Sequence, residues 1–259
     1  HTVIFEDVRF SYHDNEVLKG ISFTASEGHM TALVGESGSG KSTIARLLVH
    51  HYDPTSGSIS IGGQHIDDME LQSLNDQISY VSQDLFLFDR SILENIRVGR
   101  PSATDMEVYE AAKRAQCDEF IKDLENGYET NVGTAGNRLS GGQRQRISFA
   151  RAILKDAPIV VLDEATAFVD PENEQKMNRA IHEIIDGKTV IVIAHKLRSI
   201  AGADKIIMLQ QGRILAEGTQ DELIASCPEY HALWDASEKL SGWTLKDKAL
   251  EGSHEEAPC

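Results

Sequence analysis

The residues best suited to bind phosphate lie in one segment that reads Gly-Glu-Ser-Gly-Ser-Gly-Lys-Ser-Thr. In the pattern Gly-x-x-x-x-Gly-Lys-Ser, glycines let backbone N–H groups turn inward around a phosphate without steric cost. The lysine can reach the β- and γ-phosphates of a nucleotide, and the serine hydroxyl can ligate Mg²⁺. An apolar strand is predicted before the loop and a helix after it, which argues against a Gly/Ser-rich linker. The candidate nucleotide-binding residues are Gly35, Glu36, Ser37, Gly38, Ser39, Gly40, Lys41, Ser42 and Thr43.

Polar residues also follow three apolar segments at the points where strands are predicted to end. They are Asp163-Glu164, His195 and Gln83. Because α/β sheets bind ligands at the C-terminal ends of their strands, we expect these side chains near the phosphate loop. Asp163 suits an outer-sphere contact to Mg²⁺, Glu164 a general base for the attacking water, and His195 a hydrogen bond to the γ-phosphate. Gln83 suits a Mg²⁺ ligand or a residue that holds a water, and the alternative is an ordinary surface glutamine.

A second helix start with exposed backbone donors is predicted at Leu139-Ser140-Gly141-Gly142-Gln143. Ser140 stands at the N-cap, and the two glycines leave backbone N–H groups open to an anion. Since one phosphate loop already surrounds one triphosphate, this second start is predicted to serve a nucleotide held elsewhere, in a two-fold dimer. The alternative is a capped helix with a Gly-rich beginning.

Composition excludes several classes of protein. The 259 residues include 41 acidic and 25 basic side chains, and a net charge of −16 argues against a general nucleic-acid binder. The three cysteines, Cys117, Cys227 and Cys259, have no metal-site spacing and predict a reducing compartment. No apolar run approaches the roughly 20 residues that cross a bilayer. The chain starts at His1 rather than Met, so we expect it to be part of a longer protein.

The order of the predicted elements indicates an α/β fold. Antiparallel strands are predicted at Thr2–Phe5, Val8–Tyr12 and Leu18–Ala25. Further strands are predicted at Met30–Val34 before the phosphate loop, at Ile78–Val81, at Ile159–Leu162 before Asp163, and at Thr189–Ile193. A hairpin is predicted around Gln210-Gln211-Gly212. Residues 84–155 are mainly helical, which predicts a helical lobe inserted into the sheet.

Three helix starts are marked by capping residues. Thr104-x-x-Glu107 and Thr219-x-x-Glu222 are capping boxes, and Asp170-Pro171 begins a helix that Gly187 ends.

Two aromatic positions allow two interpretations each. Tyr12 ends a predicted strand, where its ring could stack on adenine or simply lie on the strand face. Leu85-Phe86-Leu87-Phe88 is either core or a docking surface.

Taken in order, these segments resemble the nucleotide-binding domain of ABC transporters over nearly the whole chain. The matching positions are Tyr12 for the adenine-stacking aromatic, Gly35 to Ser42 for Walker A, Gln83 for the Q-loop, Leu139 to Gln143 for the signature, Ile159 to Asp163 for Walker B, Glu164 for the catalytic glutamate, Asp170 for the D-loop and His195 for the switch histidine. The resemblance implies a P-loop NTPase (RecA-like) core, 1–83 and 156–240, with an antiparallel β subdomain. It also implies an inserted α-helical subdomain, 84–155, and a loose acidic tail, 241–259.

The resemblance further implies ATP and Mg²⁺ as ligands and ATP hydrolysis coupled to transport. The catalytic set would be Glu164, His195, Lys41 and Gln83, and the metal set Ser42, Gln83 and Asp163. Two domains, identical or homologous, would close head to tail, each lending Ser140, Gly141, Gly142, Gln143 and Asp170 to the other's nucleotide. A transmembrane domain on the same native polypeptide would place the chain at the cytoplasmic face of a membrane, the inner membrane in a bacterium.

Local sequence points to a branch within the family. Ser91 to Ile96 and Gly133 resemble the exporter type, and Ala165 to Glu174 resembles a subgroup that includes siderophore transporters of the yersiniabactin and mycobactin kind. The usual D-loop Ser-Ala-Leu-Asp is Ala-Phe-Val-Asp here, so we expect altered contacts across the dimer. Thr134 and Leu85 replace a common Glu and a common Pro.

No departure touches the hydrolytic residues, so we expect a competent ATPase. The rival interpretations are a soluble ABC ATPase of the DNA-repair or translation type and a regulatory module that only binds nucleotide.

Overall fold

The computed structural model describes residues 1–163, 171–194, 197–200 and 202–237. Its strands are β1 (Val3–Tyr12), β2 (Asn15–Ala25), β3 (Met30–Val34), β4 (Ser56–Ile61), β5 (Gln64–His65), β6 (Ile78–Val81), β7 (Ile159–Asp163), β8 (Thr189–Ile193), β9 (Lys205–Gln210) and β10 (Arg213–Gly218). Its helices are α1 (Lys41–Leu48), α2 (Leu71–Gln77), α3 (Ile92–Arg97), α4 (Asp105–Arg114), α5 (Asp118–Lys122), α6 (Gly141–Lys155), α7 (Pro171–Ile185) and α8 (Gln220–Ser226). Residues 228–237 are also helical.

The strands form two sheets. A four-stranded sheet has the order β2-β1-β4-β5 and is antiparallel, and a six-stranded sheet has the order β10-β9-β3-β8-β7-β6. In the six-stranded sheet the five strands from β9 to β6 are parallel, and β10 pairs antiparallel with β9. The predicted α/β fold with a separate antiparallel sheet is therefore confirmed.

Both faces of the six-stranded sheet are buried. On β7, Ile159 and Val161 pack with α1 and the antiparallel sheet, whereas Val160 and Leu162 pack with the helices on the opposite face. Successive strand side chains point to opposite faces, so a continuous apolar run is what such a strand needs. A third cluster, which includes Val34 of β3 and the fully buried Tyr230, covers the side of β3 and β9 that faces away from α1.

The helical part of the chain lies on the sheet face opposite α1. Apolar side chains of α3, α4, α5, α6 and α7 form one cluster there. The predicted capping boxes at Thr104 and Thr219 are present, and each threonine accepts from the glutamate N–H three residues on. Helices α2 and α3 were not predicted, because seven and six residues are too short to show a clear 3.6-residue period.

Two sequence predictions need correction in detail. The strands predicted at Thr2–Phe5 and Val8–Tyr12 are one strand, β1, with an irregularity at Asp7, where φ is 43°. The run Leu85 to Phe88 is neither wholly core nor wholly surface. Its Leu87 is fully buried, whereas Phe86 and Phe88 are 59% and 44% exposed.

The hairpin and the helix ends follow the sequence signals. Gln211 and Gly212 turn β9 into β10 with φ values of 48° and 80°. Gly187 follows α7 with φ of 68°, as a helix-ending glycine does. Among the described residues, no helix is both long and apolar enough to cross a membrane.

Candidate active site

The phosphate loop connects β3 to α1, and two of its glycines are required by close contacts. A Cβ on Gly35 would lie 2.1 Å from the carbonyl oxygen of Leu209, and a Cβ on Gly40 would lie 2.5 Å from Leu18 Cδ2. Both residues also have positive φ, 143° and 106°. Any side chain would therefore push the loop away from β9 or β2.

The ammonium group of Lys41 is turned into the loop. Its Nζ donates to the carbonyl oxygens of Gly35 and Glu36, each at 2.8 Å, and to Ser39 Oγ at 3.4 Å. Lys41 is only 5% exposed. A positive charge is thus held at the centre of a ring of backbone groups, where an anionic ligand would meet it.

The first turn of α1 leaves backbone donors uncapped. Its N-cap is Gly40, which has no side chain to accept from the first N–H groups, and the first turn itself contains no acidic residue. Uncapped N–H groups and the helix dipole together favour a bound phosphate.

Asp163, at the end of β7, connects the loop to the neighbouring strand. Its Oδ1 accepts from Ser42 Oγ at 3.2 Å, and its Oδ2 accepts from Tyr80 Oη at 2.9 Å. Asp163 is 3% exposed. Burial, and then the charge of Asp163, raises the pKa of Tyr80, so its hydroxyl remains a donor. Hydroxyl and carboxylate oxygens are the ligands that Mg²⁺ prefers, and these two residues fit that ion.

Sequence reasoning missed Tyr80. The sequence does show that Tyr80 lies two residues before Ser82, near the end of a predicted strand. This position indicates a contact with Asp163 only when β6 and β7 are known to be neighbours.

The strands that lead to the other strand-end candidates are neighbours in the six-stranded sheet. Gln83 is exposed on the loop that follows β6, and Val81 of β6 pairs with Leu162 of β7. Glu164, His195 and Asp170 lie outside the described residues. The strands that precede Glu164 and His195 are adjacent, since Asp163 pairs with Ile193.

Tyr12 lies half-buried at the end of β1, among other aromatic rings. Its ring is perpendicular to that of Phe10, with centroids 4.7 Å apart, and to that of Tyr52, at 5.3 Å. Its hydroxyl lies against Arg46 of α1 and raises the pKa of that guanidinium. Tyr12 is thus held beside the helix that begins at the phosphate loop.

The second helix start is open to solvent. Ser140 Oγ accepts from Gln143 N at 3.2 Å, and Gln143 Oε1 accepts from Ser140 N at 2.9 Å, which completes a capping box. A Cβ on Gly141 or Gly142 would have no heavy atom within 4 Å. Helices α6 and α1 pack on opposite faces of the six-stranded sheet.

A groove of about 350 Å³ runs between β6 and α6. Phe86, Phe88 and Val98 line it with exposed apolar surface, and Arg151 and Lys155 line its polar side. Burial lowers the pKa of Arg151 to about 10.

One buried asparagine fixes the groove's apolar rim. Asn95 is fully buried, accepts from Phe88 N at 2.9 Å, and donates to Phe88 O at 2.9 Å and Ser91 O at 3.0 Å. Arg151 donates to Asn95 O at 2.7 Å and to Phe86 O at 2.8 Å.

These features, a glycine loop around a buried lysine and a hydroxyl–carboxylate pair beside it, define a nucleotide-binding site of the phosphate-loop class. Residues 18–167 match the family described as ABC transporter. The chain belongs to the ABC transporter family, of which it represents an ATP-binding domain.

Similar proteins include transporters from bacteria and a yeast. The uncharacterized ABC transporter ATP-binding protein YknV of Bacillus subtilis is 48% identical over 232 residues, 89% of this chain and 38% of that protein. The mitochondrial iron-sulfur clusters transporter ATM1 of Yarrowia lipolytica is 43% identical over 254 residues, 98% of this chain and 35% of that protein. The beta-(1→2)glucan export ATP-binding/permease protein NdvA of Bradyrhizobium diazoefficiens is 49% identical over 86% of this chain and 37% of that protein.

A solved structure agrees with this relationship. A bacterial Atm1-family ABC exporter with ATP bound superposes with a TM-score of 0.87 at 42% identity, covering 91% of this chain and 41% of that one. The exporter-type branch of the family is therefore confirmed. The chain spans 35–38% of the length of the three curated relatives above.

Proposed function

We propose that this chain binds and hydrolyses ATP as the motor domain of an exporter-type ABC transporter. The observation that carries the proposal is the hydrogen bond from Ser42 Oγ to Asp163 Oδ1, beside a loop that encloses the Lys41 ammonium. It places hard oxygen ligands for a cation next to a cationic phosphate cradle.

Different residues of the chain bind different parts of Mg·ATP. Lys41 and the N–H groups of Gly35 to Thr43 neutralise phosphate charge, and Tyr12 packs against the adenine. Ser42, Gln83 and Asp163 would hold the cation, which would draw negative charge off the phosphates. Asp163 is buried and already paired with Ser42, so little rearrangement is needed at this position.

Hydrolysis needs a base and a hydrogen-bonding group close to the γ-phosphate. We assign the base to Glu164, next in sequence to Asp163, and the hydrogen bond to the phosphate and the attacking water to His195. Lys41 and Gln83 complete the catalytic set. Support comes from the register of β7 and β8, which ends both strands side by side.

The complete site requires a second ATPase domain. Ser140, Gly141, Gly142 and Gln143 form a helix start that is open to solvent and packs away from the chain's own phosphate loop. We infer that this start, together with Asp170, contacts the nucleotide of a partner domain, identical or homologous, in a head-to-tail dimer. The partner's helix start would contact this chain's nucleotide in the same way.

The groove beside α6 suits the membrane partner. Phe86 and Phe88 expose apolar rings there, and the segment follows directly from Gln83. Opening and closing of the dimer would therefore reach a transmembrane domain through residues 83–90. In this arrangement 84–155 acts as a helical subdomain inserted between 1–83 and 156–240, at the cytoplasmic face of the membrane.

The cargo is not set by the family. ATM1 is named for iron-sulfur clusters and NdvA for a glucan, and the siderophore subgroup suggested by Ala165 to Glu174 stays a prediction.

Phosphate release with and without Mg²⁺ tests the proposal. The wild-type chain should hydrolyse ATP, and Glu164→Gln should bind ATP but turn it over at least ~10²-fold more slowly, the lower end for loss of a general base. Glu125→Gln, the same change of charge at an exposed position in the helical part, is the control. Near-normal turnover in Glu164→Gln would refute the assignment, and nucleotide binding without hydrolysis in the wild type would favour the regulatory module.

A further inference from the structure

Asp163 is held by two hydroxyl groups that come from different elements. Ser42 in the first turn of α1 donates to Oδ1 at 3.2 Å, and Tyr80 in β6 donates to Oδ2 at 2.9 Å. The phosphate-binding function uses the first contact and gives no role to the second.

The sheet directs Tyr80 towards Asp163. Strands β6 and β7 are parallel neighbours in which Tyr80 pairs with Val161, two residues before Asp163. Tyr80 and Val161 both pack with the cluster on the α1 side of the sheet. The tyrosine side chain therefore extends along the same face as the carboxylate and reaches the oxygen that Ser42 does not contact.

We propose that Tyr80 is a positioning residue for the cation site, one that fixes the Asp163 carboxylate so that Oδ1 stays directed at Ser42. The proposal rests on the proposed function, because it concerns the same Mg·ATP site. Tyr80 acts through Asp163 and itself contacts neither nucleotide nor cation.

The surroundings of Tyr80 are suited to this role. The tyrosine is half-buried, and its ring is perpendicular to that of His51, with centroids 6.3 Å apart. A phenol is protonated at neutral pH, so Tyr80 donates its hydroxyl hydrogen to Asp163 Oδ2. Without this donor, the buried carboxylate would lose one of the contacts that orient it.

The matched substitution removes one oxygen atom. Tyr80→Phe keeps the ring and deletes the donor to Asp163. Hydrogen-bond donors to a metal-binding side chain orient that side chain, and their loss typically weakens metal binding about 10- to 100-fold. Binding of nucleotide in the absence of metal depends on Lys41 and the loop amides, so it should not change.

The test compares nucleotide binding in EDTA and in Mg²⁺, with a fluorescent non-hydrolysable ATP analogue. In the wild type, Mg²⁺ should tighten binding. In Tyr80→Phe the affinity in EDTA should match the wild type, while the tightening by Mg²⁺ should fall about tenfold or more. Mn²⁺ in place of Mg²⁺ should show the same loss, and thermal unfolding measured alongside reports whether the fold is intact.

A second tyrosine provides a matched control. Tyr128 Oη donates to Asp118 Oδ1 at 3.4 Å in the helical part of the chain, and burial raises its pKa as well. Tyr128→Phe deletes the same kind of hydroxyl and should leave the tightening by Mg²⁺ unchanged.

Tyr80→Leu removes the ring as well as the hydroxyl, so comparing it with Tyr80→Phe distinguishes the effects of the two groups. An equal loss of Mg²⁺-dependent tightening in the Phe and Leu variants supports the positioning role. Wild-type tightening in Tyr80→Phe, with loss only in Tyr80→Leu, would overturn it in favour of simple packing. A wild-type chain that binds no nucleotide even in EDTA would instead contradict the proposed function.

Discussion

Gly35 and Gly62 both have positive φ, but only Gly35 lies against another part of the backbone. Its φ is 143°, and a Cβ there would lie 2.1 Å from Leu209 O. Gly62 has φ of 58°, and its Cβ position has no heavy atom within 4 Å. Alanine substitutions at these two glycines therefore distinguish the effect of displacing the phosphate loop from the effect of backbone strain at a positive φ.

We expect Gly35→Ala to weaken ATP binding about tenfold or more, equivalent to ~1.4 kcal/mol, because the loop amides must move away from β9. Calorimetric titration of the chain with nucleotide measures this. Gly62→Ala should destabilise the fold by about 1–2 kcal/mol through backbone strain alone and leave nucleotide affinity unchanged. Equal affinities for the two variants would mean that the loop tolerates a side chain at Gly35.

Helices α4 and α6 begin with the same kind of N-terminal capping motif. Thr104 with Glu107, and Ser140 with Gln143, each form a complete capping box. Both N-caps are exposed, so the two helix starts differ mainly in the open glycines that follow Ser140.

Thr104→Ala and Ser140→Ala should each lower the free energy of unfolding by about 1 kcal/mol, because each removes an N-cap acceptor. Only Ser140→Ala should also weaken ATP-driven association of the Glu164→Gln chain, since its helix start contacts the partner's nucleotide in the proposed dimer. Chemical denaturation and sedimentation measure the two effects. Association that is unchanged in Ser140→Ala would leave Ser140 as a cap and nothing more.

The segment that links β6 to α3 depends on a single buried amide. Asn95 holds Phe88 and Ser91 through the backbone, and Arg151 holds Asn95 and Phe86. This arrangement leaves the rings of Phe86 and Phe88 exposed on a rigid rim.

Asn95→Ala should lower the free energy of unfolding by about 1–3 kcal/mol, because it leaves buried backbone groups without partners. Amide hydrogen exchange in residues 86–91 should become faster than in the wild type. Asn75→Ala, at an exposed position of α2, should change stability by less than about 0.5 kcal/mol and serves as the control. Unchanged exchange in 86–91 would mean that Arg151 alone fixes the rim.

At the scale of the whole molecule, the phosphate loop and the Ser140 helix start are carried on opposite faces of one sheet. A rigid sheet keeps them apart, so a second domain is the simplest way to complete each site.

The solution mass of Glu164→Gln should double from 28.6 kDa when Mg·ATP is added, because a chain that hydrolyses slowly accumulates the closed dimer. Light scattering with and without Mg·ATP measures this, and ADP is the control ligand. A monomer that persists while ATP is bound would contradict a homodimer of the isolated chain. It would point to a non-identical partner or to a need for the linked membrane domain, which raises the effective concentration of one ATPase domain around the other.

Local features could be predicted from the sequence with accuracy. The bounds of β3, β6 and β8 match the predicted runs, the capping boxes predicted at Thr104 and Thr219 are present, and Ser140 is an N-cap as predicted. Such features depend on residues a few positions apart, whose periodicity and side-chain chemistry act within one element. The break predicted within β1 was wrong because the partner strands β2 and β4 carry the chain through the irregularity at Asp7.

The sequence by itself determined the phosphate loop and the second helix start, since these follow from glycine, lysine and serine at fixed spacing. It also determined the family, which follows from the order of the motifs along the chain. Only the tertiary structure decided that Tyr80 reaches Asp163, 83 residues away, and that Ser42 reaches it across 121 residues. It also decided that Leu87 is buried while Phe86 and Phe88 are exposed. These contacts depend on the strand order β8-β7-β6 and on which face each side chain occupies, and both are fixed by the packing of the whole sheet.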